Sequence, residues 1–123
     1  MQGTRILLVE DSPDIQTFVR SIARLEGFQL TVAGTGEQGI DLYANDGPFD
    51  LVVLDINLPG IQGWDVLDAI KGSPEPQAKV VIFSAFADAA TSEKAAAMGA
   101  AGFMAKPIGA RELVAHLKAF LEA

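Results

Sequence analysis

The chain has 123 residues, half of them hydrophobic, and sixteen acidic residues against nine basic ones leave a formal net charge of -7. That length suits one domain with a sizeable core over residues 1–123, and the acidic balance disfavours direct nucleic-acid binding, which needs a basic footprint. There is no cysteine and one histidine, His116, so disulfides, thiolate chemistry and multi-histidine metal sites are excluded.

Five short apolar runs alternate with helical patterns. The first run is "RILLV" at 5–9. Ser12 then suits a helix N-cap with Pro13 in the first turn, and Ile15, Phe18, Val19 and Ile22 follow helical spacing to a stop at Gly27. The second run, "FQLTV" at 28–32, leads into a helix that begins near Thr35 and carries Ile40, Leu42 and Tyr43. The third, "DLVVL" at 50–54, precedes a helix with Trp64, Val66, Leu67 and Ile70, which Gly72 and "SPEP" close. The fourth, "KVVIF" at 79–83, is followed by an alanine-rich helix over about 89–98, closed by Gly99. The fifth, "AGFMA" at 101–105, is followed by a helix bearing Leu113, Val114, Leu117 and Leu121.

The first, third and fourth runs are continuously apolar and rich in β-branched residues, as strands covered on both faces are. A strand–helix order repeated five times predicts an α/β fold, an open doubly wound parallel sheet with right-handed connections. No apolar run approaches membrane-spanning length and the N-terminus lacks a signal-peptide pattern, so the expectation is a cytoplasmic protein with no membrane partner.

In open α/β sheets, ligands bind outside the carboxyl ends of the strands. The residues there are Glu10 and Asp11 after the first run, Asp55 after the third, Ser84 after the fourth, and Lys106 with Pro107 after the fifth. Alone, an aspartate after a strand is more often a turn or cap residue than a site. One topological rule brings all of these to a single edge, and that conjunction outweighs the bland reading. Three carboxylates and one lysine leave a local charge of minus two, which one divalent cation would neutralise. Oxygen donors without histidine or cysteine favour Mg2+, with Mn2+ as an alternative. A lysine suits a phosphate, and a serine hydroxyl can bond a phosphoryl oxygen. These ingredients describe a magnesium-assisted phosphoryl site with a carboxylate as nucleophile.

The stretches "LLVEDSPD", "DLVVLDINLPGIQG", "VVIFSA" and "GFMAKP" resemble the receiver domain of two-component response regulators, and the resemblance spans essentially the whole chain. It implies a flavodoxin-like (βα)5 fold with strand order 2-1-3-4-5. It further implies that Asp55 accepts a phosphoryl group from a phosphohistidine of a sensor histidine kinase or histidine phosphotransfer protein. Asp11 would be a direct magnesium ligand, Glu10 its acidic neighbour acting largely through water, and Asn57 would lend its backbone carbonyl. Ser84 and Lys106 would engage the phosphoryl group, with Lys106–Pro107 often cis in such domains. Ser84 and Phe103 would form the switch, and Pro59 and Gly63 shape the loop after the acceptor strand. Phe103 carries no hydroxyl, so ring burial alone must serve it. The output would be a protein partner on the face of the fourth helix, fifth strand and fifth helix, from a monomer or weak dimer. A stand-alone regulator, a phosphorelay shuttle and a receiver belonging to a hybrid kinase or longer regulator all fit.

Three readings compete. "GTGEQG", Gly34 to Gly39, matches the dinucleotide-binding pattern G-x-G-x-x-G, although it follows the second strand and leaves Asp11, Ser84 and Lys106 idle. A phosphoaspartyl hydrolase would place a general acid two residues after Asp55, where Asn57 stands. A flavin-binding domain of the same topology would want phosphate-binding hydroxyls after the first strand, where Glu10 and Asp11 lie. His116 and Trp64 are most simply read as a partly exposed helix residue and a semi-buried aromatic.

Overall fold

A computed structural model describes residues 3–74, 77–86 and 88–122. Its elements are β1 (Arg5–Val9), α1 (Pro13–Glu26), β2 (Gln29–Ala33), α2 (Gly36–Asp46), β3 (Leu51–Leu54), α3 (Gly63–Lys71), β4 (Lys79–Ser84), α4 (Ala89–Ala97), β5 (Gly102–Ala105) and α5 (Ala110–Glu122). Glu75 and Pro76, half of the expected "SPEP" terminator, lie outside the described residues.

The strands form one parallel sheet in the order β2-β1-β3-β4-β5. Strand alternation divides the core into two layers. Leu7, Val9, Val52, Leu54, Val80 and Ile82 face α2, α3 and α4. Ile6, Leu8, Leu51, Val53, Val81 and Phe83 face α1 and α5. Both faces of the central strands are therefore apolar, which is why those runs lack the alternation of a half-exposed strand. Each fully buried Leu or Ile here contributes about 1.5–3 kcal/mol of transfer free energy.

The expected helix signals operate. Ser12 Oγ accepts from the Ile15 N–H at 3.4 Å, and Pro13 sits in the first turn. Gly27, at φ 77°, ends α1 in a left-handed turn, and the Phe28 N–H bonds back to Ala23 O at 2.9 Å. That bond belongs to the helix terminus, so β2 begins at Gln29, one residue later than the apolar run suggests. Gly99, at φ 93°, closes α4 in the same way, with the Ala100 N–H on Ala95 O. Thr35 caps α2 through the Gln38 N–H at 3.1 Å.

The glycines of "GTGEQG" answer to packing. A Cβ on Gly36 would lie 2.6 Å from Ile61 Cγ1, and one on Gly39 would lie 2.9 Å from Val9 Cγ2. They let α2 settle onto the sheet and onto the loop before α3. No helix among the described residues is long and apolar enough to cross a membrane.

Candidate functional site

The last backbone bonds of the sheet fix the site. The Glu10 N–H donates to Ala33 O at 2.9 Å, the Asp55 N–H to Val9 O at 3.0 Å, and the Lys106 N–H to Ser84 O at 2.9 Å. Each charged residue thus continues a strand by one step and then turns its side chain toward a common point.

Lys106 Nζ lies 2.5 Å from Glu10 Oε1 and 3.1 Å from Asp55 Oδ2. Glu10 is 1% exposed and Asp55 6%, so two carboxylates are buried against one ammonium. Burial pushes the Glu10 carboxyl above the ordinary glutamate range, and the neighbouring Asp55 charge adds to this; Lys106 and the Ser12 N–H pull the other way. Asp11 is exposed beside them, and carboxylate oxygens of Glu10, Asp11 and Asp55 lie within 4.8 Å of one another. An all-oxygen donor set with this surplus of charge fits a hard divalent cation.

Of the other sequence candidates, Asn57 bonds directly to this centre, and the rest are placed by their own elements. The Asn57 N–H donates to Asp55 Oδ1 at 3.0 Å, which orients the carboxylate from its own loop. Ser84 is fully buried, and its Oγ accepts from the N–H of Phe86, a residue that is itself 58% exposed. The Lys106–Pro107 bond is cis, as is Gly47–Pro48. Pro59 is exposed in the loop before α3. Gly63 opens α3 against the loop that follows β3, where a Cβ would sit 2.3 Å from Asp55 O and 2.5 Å from Ile56 Cα. Only glycine lets α3 start there. Phe103 lies on β5, half-buried against the α2–α4 layer, beside a small cavity of about 110 Å³ between α4 and β5. Next to Lys106, an apolar groove of about 360 Å³ opens between α1 and the segment after β5, lined by Ile15, Phe18, Phe83, Pro107 and Ile108.

Two relationships carried no local signal in the sequence. Gln16 Nε2 donates to Glu10 O at 2.6 Å, so a helix residue holds the backbone of the acidic loop. Lys94 of α4 lies over the Trp64 ring, 4.5 Å from its centroid. His116, half-buried, stacks on Phe120 at a centroid distance of 6.2 Å, on a different element from the acidic cluster.

A doubly wound five-stranded sheet with carboxylates after its first and third strands and a lysine after its fifth has the architecture of a signal receiver rather than of a nucleotide-binding half. The chain belongs to the response regulator receiver domain family, whose model matches residues 6–118. It is 33% identical over 117 residues to the transcriptional regulatory protein CpxR of Escherichia coli K12, covering 95% of this chain and 49% of that protein. The chain thus spans about half the length of such curated relatives. Among solved structures, the signal receiver domain of a Luxo repressor protein from Vibrio parahaemolyticus matches with a TM-score of 0.90 at 30% identity, covering 99% of this chain and 92% of that one. The BeF3-activated N-terminal receiver domain of RstA from Klebsiella pneumoniae matches with a TM-score of 0.87 at 26% identity, covering 98% and 100%. The chain is therefore a signalling domain of the response regulator class, and the dinucleotide-binding and hydrolase readings are not favoured.

Proposed function

We propose that this receiver is a phosphoacceptor in which Asp55 takes a phosphoryl group from a phosphohistidine on a sensor histidine kinase or phosphotransfer protein. The observation that carries the reading is Lys106 Nζ held 3.1 Å from Asp55 Oδ2 within a cluster of three carboxylates. An Asp55 carboxylate oxygen forms the new O–P bond while the P–N bond of the donor breaks. The electron pair returns to the imidazole nitrogen, which leaves with the donor. Catalysis of such a transfer is mostly positioning and charge compensation.

Glu10, Asp11 and Asp55, with the Asn57 backbone carbonyl, would hold Mg2+, or Mn2+ in its place. When bound, the ion offsets the repulsion between the carboxylates and the incoming phosphoryl oxygens. Lys106 supplies the protein's own cation to the same oxygens, and the Ser84 hydroxyl, once released from the Phe86 N–H, donates to one of them. Movement of Ser84 toward the phosphoryl group frees space near Phe103, whose ring turns inward and reshapes the α4, β5 and α5 face for a downstream protein partner. The phosphoryl group need only favour that arrangement over the resting one. The groove beside Lys106 gives the phosphodonor an apolar surface within reach of Asp55. The acyl phosphate is labile, so the domain also catalyses loss of its own signal, in keeping with a cytoplasmic switch.

The test is incubation with acetyl phosphate, with and without Mg2+, followed by intact-mass analysis. A metal-dependent phosphoryl adduct that disappears in Asp55→Asn is the expected result. An adduct that persists in Asp55→Asn, or none at all, would overturn the reading. Beryllofluoride, the activating group named for RstA, provides a second, non-covalent probe.

A further inference from the structure

Beyond Ala33 the pairing of β1 with β2 gives way to side chains. Just past β2, the Gly34 N–H donates to Gln38 Oε1 at 2.8 Å. Just past β1, Gln16 Nε2 donates to Glu10 O at 2.6 Å. Two glutamines from two helices thus replace the next rung of the ladder, and both approach Gly34, whose Cβ position lies 3.9 Å from each side-chain amide. Gln38 holds a loop that carries no charged site residue. Gln16 holds the carbonyl that joins Glu10 to Asp11.

The backbone of segment 10–12 is fastened elsewhere too. The Glu10 N–H reaches Ala33 O at 2.9 Å, the Ser12 N–H reaches Glu10 Oε2 at 3.1 Å, and the Gln16 N–H reaches Ser12 O at 3.0 Å. None of these bonds uses the Glu10 carbonyl, and Asp11 itself is exposed. The bond from Gln16 ties that carbonyl to α1, and with it the stretch of backbone that carries the Asp11 side chain.

We propose that Gln16 is a positioning residue for the cation site: through Glu10 O it fixes the Glu10–Asp11 peptide and so keeps the Asp11 carboxylate within reach of Asp55. The residue type suits the task. The side chain is long enough to reach back from the first turn of α1, it donates, and it adds no charge to a site whose charge balance matters. The inference rests on the reading that Glu10, Asp11 and Asp55 hold a divalent cation. A bland alternative is that Gln16 merely satisfies a half-buried carbonyl, which would affect stability alone.

The experiment separates these. Mg2+ is titrated into wild type and Gln16→Met, following backbone amide resonances, with thermal unfolding measured alongside. Met keeps the length and helix preference and removes the donor. The expected result is a Mg2+ affinity lower by about tenfold, typical of losing a group that orients a metal ligand, with the Asp11 and Ser12 amides shifted before any metal is added. A folded Gln16→Met with unchanged affinity overturns the proposal even if its melting temperature falls. Should the variant not fold, the wild-type titration decides: the Gln16 side-chain amide must shift with the same midpoint as the Asp11 amide, and a stationary Gln16 signal overturns the proposal. Absence of Mg2+ binding by wild type overturns the site reading itself, and this inference with it.

Discussion

Lys106 Nζ bridges Glu10 Oε1 at 2.5 Å and Asp55 Oδ2 at 3.1 Å, joining the ends of three different strands through one ammonium. Removing it leaves two buried carboxylates facing each other. Lys106→Met should destabilise the metal-free protein by about 3–5 kcal/mol, the usual cost of breaking a buried ion pair from one side. Millimolar Mg2+ should recover more of that loss than the stabilisation it gives wild type, by mass action on the folded state. Urea unfolding with and without Mg2+ checks both statements.

Gly63 meets the loop after β3 backbone to backbone. With a Cβ placed 2.3 Å from Asp55 O, neither partner can yield as a flexible side chain would. Gly63→Ala should cost about 3 kcal/mol, the upper part of the range for overpacking. The Asn57 amide resonance should shift as its bond to Asp55 Oδ1 is disturbed. A fully stable Gly63→Ala with an unmoved Asn57 amide would show that the loop accommodates the methyl group.

Two carboxyls should titrate with opposite consequences. Asp88 accepts from the Thr91 N–H at 2.8 Å at the start of α4, and hydrogen bonding to Thr91 holds its carboxyl below the ordinary aspartate range. A depressed value in the folded state means the ionised cap stabilises above the unfolded value. That contribution is lost as pH falls through the lower, folded value, below about pH 4. Glu10 has the reverse sign. Its raised value means the folded protein takes up this proton first, so burial of the charge penalises stability above the folded value and the penalty is relieved on acidification. Carbon-detected titration of the metal-free protein should find Glu10 above, and Asp88 below, their values in the unfolded chain.

Trp64 is the single tryptophan, so its fluorescence reports one place. Lys94 sits over its ring at 4.5 Å and links α4 to α3. Lys94→Met should change the emission of Trp64 and lower stability by about 0.5–1 kcal/mol, as expected for a cation–aromatic contact near the surface. An emission spectrum identical to wild type would argue against the contact in solution.

The fold was legible because its signals are local. Ser12, Thr35, Gly27 and Gly99 mark helix ends by their own chemistry, and the runs around Leu7, Val53 and Val81 announce strands buried on both faces. The one-residue shift of β2 arises where Phe28 serves the end of α1 before the sheet begins. The acidic cluster was legible through a rule of topology, since strand ends in such sheets share an edge. What escaped depends on distance in three dimensions. Nothing in residues 102–108 signals that Lys106 pairs with Glu10, 96 positions away. Gln16 reads as one more polar helix residue, and Lys94 and Trp64 lie on helices whose separation only the packed sheet sets.

Asp55 follows β3, the central strand of the sheet, in which every residue is buried. Of the described residues of α4, by contrast, Ala95 alone is buried. Amide exchange should therefore be slower along β3, beside Asp55, than along α4, because opening free energy follows burial. Under the proposed function, a phosphoryl group on Asp55 would act from a rigid base, and the work of changing shape would fall to a helix that moves at little cost. The two elements differ in stiffness as an anvil differs from a spring, and a switch built on them would need both.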